Sequence, residues 1–412
     1  MAELHLLSPG GFRAAGVYAG IKTKQNPDVG LLICDRPATA AAVFTTNKVF
    51  AAPVKVGRDH VKSGKLRGVV VNAGNANACT GKQGERDALR MCELAATIAK
   101  CRKTEILPCS TGIIGHLLPM RKLERGIVEA GQYLGTSLDH ARLFAAAILT
   151  TDIKRKEAAT SFKLGKRTIT LAGVCKGSGM IGPRMSLAGP GASSRKPLHA
   201  TMLAYLTTDA AIAPPLLRKL LEGASDRSFN AVIVDDHTST NDTACLLASG
   251  ASGAKVSSPK DVKSFAAALE EVCRSLAYQI AADGEGATKV VAITVRRAKH
   301  TAAATAMARA IANSPLVKCA MNGNDPNWGR IVSAAGLAGV PFDPAKCVLT
   351  LQKTVVFRAG RPVEFDANAV SETLDTPEVS VDLDCRAGTG EATVWTCDLS
   401  KEYVAINADY HT

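Results

Sequence analysis

The sequence predicts a mixed α/β (α+β) fold in two halves, and three observations carry that prediction. Short β-branched runs alternate with helical patterns in the N-terminal third, a long helix with clear start and stop signals lies beyond the middle, and the last quarter is rich in strands. In chain order, Gly68-Val69-Val70-Val71-Asn72 reads as a strand. Ala88, Cys92, Ala95 and Ala99 fall on one face of a helix, as do Leu123, Ile127, Ala130 and Leu134, because residues three and four apart share a face. The segment Leu187 to Pro197 (LAGPGASSRKP) concentrates Gly, Pro and Ser, marks an exposed loop and places a boundary near it. Ser258 is an N-cap, Pro259 takes the first helical position, and Asp261 stands three residues after the cap. Val262, Phe265, Leu269, Val272, Cys273, Leu276 and Ile280 follow at helical spacing, and the helix should end at Asp283-Gly284. Lys289 to Arg296 (KVVAITVR) is β-rich. Ala359-Gly360 lies between two β runs within Val348 to Glu364, and Val379 to Trp395 alternates around Gly388-Thr389-Gly390, so hairpins and an antiparallel sheet are expected there. Leu149-Thr150-Thr151-Asp152 recurs as Leu206-Thr207-Thr208-Asp209, too short an echo to imply duplication.

At 412 residues the chain exceeds a single core of ordinary size. Its 46% hydrophobic and 21% charged residues are those of a globular chain that folds throughout. A net charge of +13 raises nucleic-acid binding as a possible use. The charges are dispersed, however, and only 4% of residues are aromatic, so stacking platforms for single strands have little to be built from. Attraction of small anionic substrates is the other use of such a charge. No apolar run reaches the ~20 residues that span a bilayer, and MAELHLLSPGGF lacks the basic start and apolar stretch of a secretory signal, so a cytoplasmic protein is expected. The twelve cysteines include no C-x-x-C pair, which suggests neither a zinc site nor a disulfide framework, but buried free thiols.

The common phosphate-loop, nucleophile-elbow, zinc-helix and dinucleotide motifs are missing, so no metal and no cofactor is expected. Asp235-Asp236-His237 looks like a fragment of a metal site. Successive strand side chains alternate, so the three cannot face one ion, and a solvated strand end is the expectation. More informative are five polar, glycine-bearing segments between apolar ones: Asn72 to Thr80, Ser110 to Gly115, Lys176 to Gly182, Ala200 to Leu203 and Asp283 to Lys289. Any one of them could be a plain turn, but five together point to a site.

These segments, in this order, resemble the ornithine acetyltransferase family, the glutamate N-acetyltransferases of arginine biosynthesis. The resemblance covers nearly the whole chain. It runs through GVYAGIK, VNAGNANACTG, PCSTGIIG, the TTD segment at Thr150, KGSGMIGP, ATMLAYLTTDA, DGEGATK, SPLVKCA with GNDPNWGRI, and the stretch from Asn407 to Thr412. It implies a self-processing N-terminal-nucleophile enzyme with sheets sandwiched by helices. The backbone would be cut between Ala200 and Thr201, giving fragments 1–200 and 201–412 that stay together as two copies of each. Thr201 would be the nucleophile. A threonine hydroxyl needs a neighbouring base, and the α-amine freed by cleavage, with pKa near 8, is one carried on the same residue.

The resemblance further implies acetyl transfer from N-acetylornithine to glutamate through an acetylated Thr201, with acetyl-CoA as a further possible donor. It places the oxyanion hole at Thr111 and Gly112. Substrate contacts would fall on Thr150 or Thr151, Lys176, Thr201, Glu285, Asn407 and Thr412, with Lys176 answering a carboxylate and Glu285 an amino group. The chain departs from the family pattern between Gly182 and Thr201, where Arg184 to His199 is inserted. Extra loop length costs only ~0.6 kcal/mol per doubling, so the fold tolerates it. Two other readings stay open on the residues alone: a self-processing aminopeptidase or amidase with water as acceptor, and a basic RNA-binding protein without catalysis.

Overall fold

In the computed structural model the described residues are 3–188 and 202–409. Ala200, Thr201, Thr412 and the inserted segment beyond Ala188 therefore lie outside the described residues. The chain divides into two compact units, one of Met1–Asn230 with His237–Leu276, the other of Ala231–Asp236 with Ala277–His411.

The first unit is built on a nine-stranded mixed sheet. Its path runs Ile106–Ile113, Lys65–Asn75, Val29–Thr45, Thr243–Ala248, Leu203–Thr208, Arg167–Lys176, Lys156–Leu164. Phe12–Val17 and Met185–Ser186 both pair with the long strand Val29–Thr45. Alternation along that strand assigns its two faces. Leu31 and Ile33 join Ala88, Cys92, Ala95, Leu123 and Ile127 of the helices Gly81–Ala99 and Met120–Gln132 in one layer. Leu32 and Cys34 join Ala141, Phe144 and Ile148, in and just after the helix Leu138–Ala147, in the other. The sheet is thus sandwiched by helices, and both helical faces read from the sequence are the buried ones. The two Thr-Thr-Asp copies have unlike settings: Thr207 and Thr208 end a central strand, whereas Thr150 and Thr151 lie beyond a helix. The glycine-rich segment lies within this unit by sequence, and the strands on either side of it, Arg167–Lys176 and Leu203–Thr208, pair with each other.

The second unit carries a seven-stranded sheet ordered Arg361–Pro362, Thr354–Arg358, Val348–Leu351, Glu378–Asp384, Val290–Ala298, Gly390–Cys397, Val232–Ile233. Here two expectations are corrected. Glu378–Asp384 and Gly390–Cys397 are not a hairpin; each pairs with Val290–Ala298, the first in parallel and the second antiparallel, so the sheet is mixed. Gly388 and Gly390 are small because the chain passes close over that strand's end: a Cβ on Gly390 would lie 2.1 Å from the His300 carbonyl carbon. The Ala359-Gly360 turn does join two antiparallel strands, with a further turn at Gln352. Asp236 is also not solvated; it is 9% exposed and bound by Arg309 at 2.8 Å and Asn313 at 3.1 Å. The helix Pro259–Ala282 begins as expected, with Ser258 and Asp261 exchanging side-chain to backbone hydrogen bonds at 3.2 Å each. All twelve cysteines are free, and only Cys79, Cys101 and Cys319 are not buried. Among the described residues no helix is long and apolar enough to cross a membrane.

Candidate active site

Four of the five glycine-bearing segments belong wholly or partly to the first unit, and backbone register brings their described residues together. Strands Lys65–Asn75 and Ile106–Ile113 run parallel with Ala73 opposite Thr111 and Gly74 opposite Gly112. Both glycines have positive φ, +103° and +130°. A Cβ on Gly112 would sit 2.3 Å from the Gly74 carbonyl carbon, so only glycine permits this approach. Thr111 is 1% exposed, and its hydroxyl has no hydrogen-bond partner. A buried hydroxyl left unsatisfied costs ~1–3 kcal/mol, which a ligand oxygen arriving there would relieve. The asparagines of the VNAGNANACT segment do structural work instead: Asn72 accepts from Ser110 at 2.6 Å and donates to the Asn75 carbonyl at 2.8 Å.

The strand Leu203–Thr208 begins two residues after Thr201. On one side Leu203 is opposite Lys176, and on the other it is opposite Thr243. Asn241 links this end of the sheet to the Thr111 strand, its amide donating to the carbonyls of Ser110 at 2.8 Å and Ala76 at 2.7 Å. Asp242 accepts the Met202 N–H at 2.5 Å through Oδ1.

Lys176 faces a buried carboxylate. Asp152, the last residue of the TTD segment, has a fully buried side chain 3.8 Å from the Lys176 ammonium and 2.7 Å from that of Lys156. It also accepts the backbone N–H of Gly177 at 2.6 Å and of Thr150 at 3.1 Å. Burial pushes this carboxyl up, but Lys176, Lys156 and the Gly177 N–H outweigh that and hold it well below the usual carboxylate range. Thr150 and Lys176 are therefore joined through one anion. Lys22, which ends the GVYAGIK motif, is nearby: burial lowers its ammonium to about 8, with Asp28 opposing and Lys176 adding to the fall. Its loop is fixed by Asp28, whose carboxylate accepts the N–H groups of Ala19, Ile21 and Lys22 at 2.7, 2.6 and 3.0 Å.

In the second unit Asn407, on the helix Lys401–Asp409, donates to Glu285 at 3.0 Å. The turn bearing Glu285 is closed by Ser400 on the Gly286 carbonyl at 2.6 Å, and Gly286 has φ +67° with the Tyr403 backbone against it. So Thr111, Gly112, Thr150, Thr151 and Lys176 assemble in one unit, while Glu285 and Asn407 meet in the other. Asp152, Asn241, Asp242 and Lys22 had no role in the sequence reading. For Lys22 and Asp152 the signal there was a polar residue at the end of an otherwise matched segment, whereas Asn241 and Asp242 lie in none of the matched segments. Among the described residues no cluster of His, Cys, Asp and Glu could hold a metal ion.

A family model described as the ArgJ family matches residues 13–412. The arginine biosynthesis bifunctional protein ArgJ of Lactococcus lactis is 44% identical over 407 residues, covering 98% of each chain. That of Geobacter sulfurreducens is 45% identical over 406 residues, covering 98% of this chain and 99% of its own. Among solved structures, an ornithine acetyltransferase from Mycobacterium tuberculosis in complex with ornithine is 36% identical. It covers 44% of this chain and 96% of its own, with a TM-score of 0.41.

Proposed function

This chain belongs to the ArgJ family of arginine-biosynthesis enzymes, and from that membership we propose that it transfers an acetyl group from N2-acetyl-L-ornithine to L-glutamate. The enzyme is an acetyltransferase acting on small molecules. In the proposed course, the Thr201 hydroxyl attacks the Ala200 carbonyl, the peptide bond becomes an ester, and water opens it. That leaves the Ala200 carboxylate and a free α-amine on Thr201. Fragments 1–200 and 201–412 remain together, two of each.

Transfer then proceeds in two halves. The α-amine of Thr201 takes the hydroxyl proton while the oxygen attacks the acetyl carbonyl. Collapse of the tetrahedral intermediate breaks the amide C–N bond and returns the proton to the departing ornithine nitrogen. The glutamate α-amine next attacks the acetyl ester, and Thr201 leaves with its proton restored. Thr111 and Gly112 face the oxyanion, where losing one donor typically costs ~2.7–4 kcal/mol of transition-state stabilisation. Lys176 pairs with a substrate carboxylate, beside Thr150 and Thr151; Glu285, Asn407 and Thr412 receive the amino end. Acetyl-CoA is a second donor in this reading, in keeping with relatives named as bifunctional. The working compartment proposed is the cytoplasm.

The observation that best supports this reading is the linkage from the Ser110 carbonyl, next to the unpartnered Thr111 hydroxyl, through Asn241 and its neighbour Asp242 to Met202, the residue after the nucleophile. Intact mass before and after incubation with N-acetylornithine tests it. The expected result is two fragments split at Ala200/Thr201 with an acetyl increment on the C-terminal one. Normal transfer by Thr201→Ala would sink the mechanism. Release of acetate in place of N-acetylglutamate when glutamate is present would make the enzyme a hydrolase.

A further inference from the structure

Asp242 is a carboxyl buried to 0% exposure with no ion pair among the described residues. One of its oxygens, Oδ1, accepts the Met202 N–H at 2.5 Å; the other, Oδ2, has no hydrogen-bond partner. Met202 is held from both sides, since its carbonyl also accepts the Thr243 N–H at 3.0 Å. The Asp242 backbone is itself fixed, its carbonyl accepting the Thr45 N–H at 2.9 Å, and its neighbour Asn241 is tied to Ser110 and Ala76. The carboxyl therefore sits on a rigid bridge between the oxyanion strand and the peptide that joins Thr201 to Met202.

We propose that Asp242 is the positioning residue of the Thr201 nucleophile: it fixes the Thr201–Met202 peptide through Oδ1 and offers Oδ2 to the α-amine that cleavage creates. This rests on Thr201 being the nucleophile. Before cleavage Thr201 carries a neutral peptide nitrogen, and an ionised carboxylate beside it would be buried without a counter-charge. Burial pushes the Asp242 carboxyl well up; the Met202 N–H and the charge of Lys176 oppose it but do not overcome it. Lys176 is the charged group that acts on Asp242, and it faces Asp152 as well. After cleavage the chain gains an amine one residue away; amine and carboxyl together hold one proton at low pH and release it to solvent above the acidic limb, so the reacting enzyme has a carboxylate beside a neutral amine.

The chemistry follows the logic of a carboxylate behind a general base. When the α-amine removes the Thr201 hydroxyl proton it becomes an ammonium, and an adjacent carboxylate stabilises that cation and holds its lone pair toward the hydroxyl beforehand. The proton stays on the amine until it passes to the leaving nitrogen. Asp242 itself is neither nucleophile nor base.

The test uses the full chain as Asp242→Asn and Asp242→Ala, with Thr201→Ala as an uncut reference. Asparagine keeps an oxygen to accept the Met202 N–H and removes the charge. Its expected behaviour is processing close to wild type, with kcat for N-acetylornithine lowered at least ~100-fold, toward the ~10⁴-fold loss seen when the carboxylate behind the histidine base of a serine protease is neutralised. The acidic limb of kcat/KM against pH should also move to lower pH, because an amine without a neighbouring carboxylate loses its proton more readily. Asp242→Ala should be slow in both cleavage and transfer. Activity of Asp242→Asn within threefold of wild type with an unmoved limb overturns the proposal. Should Asp242→Asn stay uncut, melting at the temperature of Thr201→Ala upholds a positioning role and a clearly lower one overturns it. Wild-type enzyme that never acquires an acetyl group indicts the nucleophile assignment instead, so the two failures are told apart.

Discussion

Neutralising Asp152 should destabilise the first unit and loosen substrate binding together. Asp152→Asn removes the charge faced by two buried lysines, Lys156 at 1% and Lys176 at 3% side-chain exposure. Removing one partner of a buried pair costs ~3–5 kcal/mol, because the remaining charge keeps its desolvation penalty. Asparagine still presents an oxygen to two of the four donors at 2.6, 2.7, 3.1 and 3.8 Å, since each carboxylate oxygen faces two of them, which places the expected loss near the lower end, ~3 kcal/mol. For a unit of this size each kcal/mol moves the melting temperature by ~2–4 °C, so a fall of ~6–12 °C is expected in a thermal melt at pH 7. The sign with pH is fixed as well. A carboxyl held below its unfolded value contributes stability that is present above ~3.9 and lost as pH falls through that value toward the folded one, so the gap between wild type and variant should narrow below about pH 4. KM for N-acetylornithine should rise with the same substitution, since Lys176 loses the anion that orients it. A melt within ~2 °C of wild type at pH 7, or a gap independent of pH, would refute the view that this carboxylate is an ionised anchor for Lys176.

Thr111→Val removes a hydroxyl that has no partner, so kcat should fall ~10²–10³-fold while the melting temperature is nearly unchanged, as read by steady-state transfer assays and thermal melts. Asn241→Ala leaves the carbonyls of Ala76 and Ser110 without their side-chain donor, at ~1–3 kcal/mol each if they stay dry, and both stability and cleavage rate should drop in urea titration and timed mass spectra. Glu285→Gln keeps a partner for Asn407 but loses the negative charge, so KM for the donor should rise more than kcat falls in initial-rate measurements. Lys318→Met, at a buried lysine bonded to Thr396 at 2.8 Å, should lower the melting temperature and leave KM for glutamate alone.

The parts of the fold that were legible in the sequence are those set by local rules. Helical faces such as Ala88, Cys92, Ala95 and Ala99 are buried where the spacing put them, and the Ser258–Asp261 cap is a local exchange of hydrogen bonds that any context preserves. The expected hairpin around Gly388-Thr389-Gly390 failed for a non-local reason. Two alternating runs separated by glycines look alike whether they pair with each other or flank a third strand, and only Val290–Ala298, some ninety residues upstream, decides it. Asp236 was misread similarly: its partner Arg309 lies 73 residues away. In the site, the glycine-bearing segments announced themselves, since a position such as Gly112 admits no other residue. Asp152 and Asp242 did not, because what matters about each is the burial and charge around it.

Those two aspartates show how one residue type is driven in opposite directions around a single lysine, Lys176. Asp152 is as buried as Asp242, yet two ammonium groups and two backbone N–H groups hold it ionised, while Asp242 has a single backbone donor and only the field of Lys176 in its favour. Lys176 is common to both. It stands 3.8 Å from Asp152, and its charge opposes, without overcoming, the rise that burial imposes on Asp242. Environments that push like groups apart mark where acid and base duties are divided. On the proposed mechanism the division separates binding from chemistry: one carboxylate anchors the lysine assigned to substrate, and the other partners the amine that cleavage would supply. A charge added near Lys176 should therefore disturb both at once, and Lys176→Met, by leaving Asp242 still harder to ionise, should slow the chemical step as well as raise KM. Single-turnover acetylation at saturating N-acetylornithine separates the two effects, and a rate there equal to wild type would show that Lys176 serves binding alone.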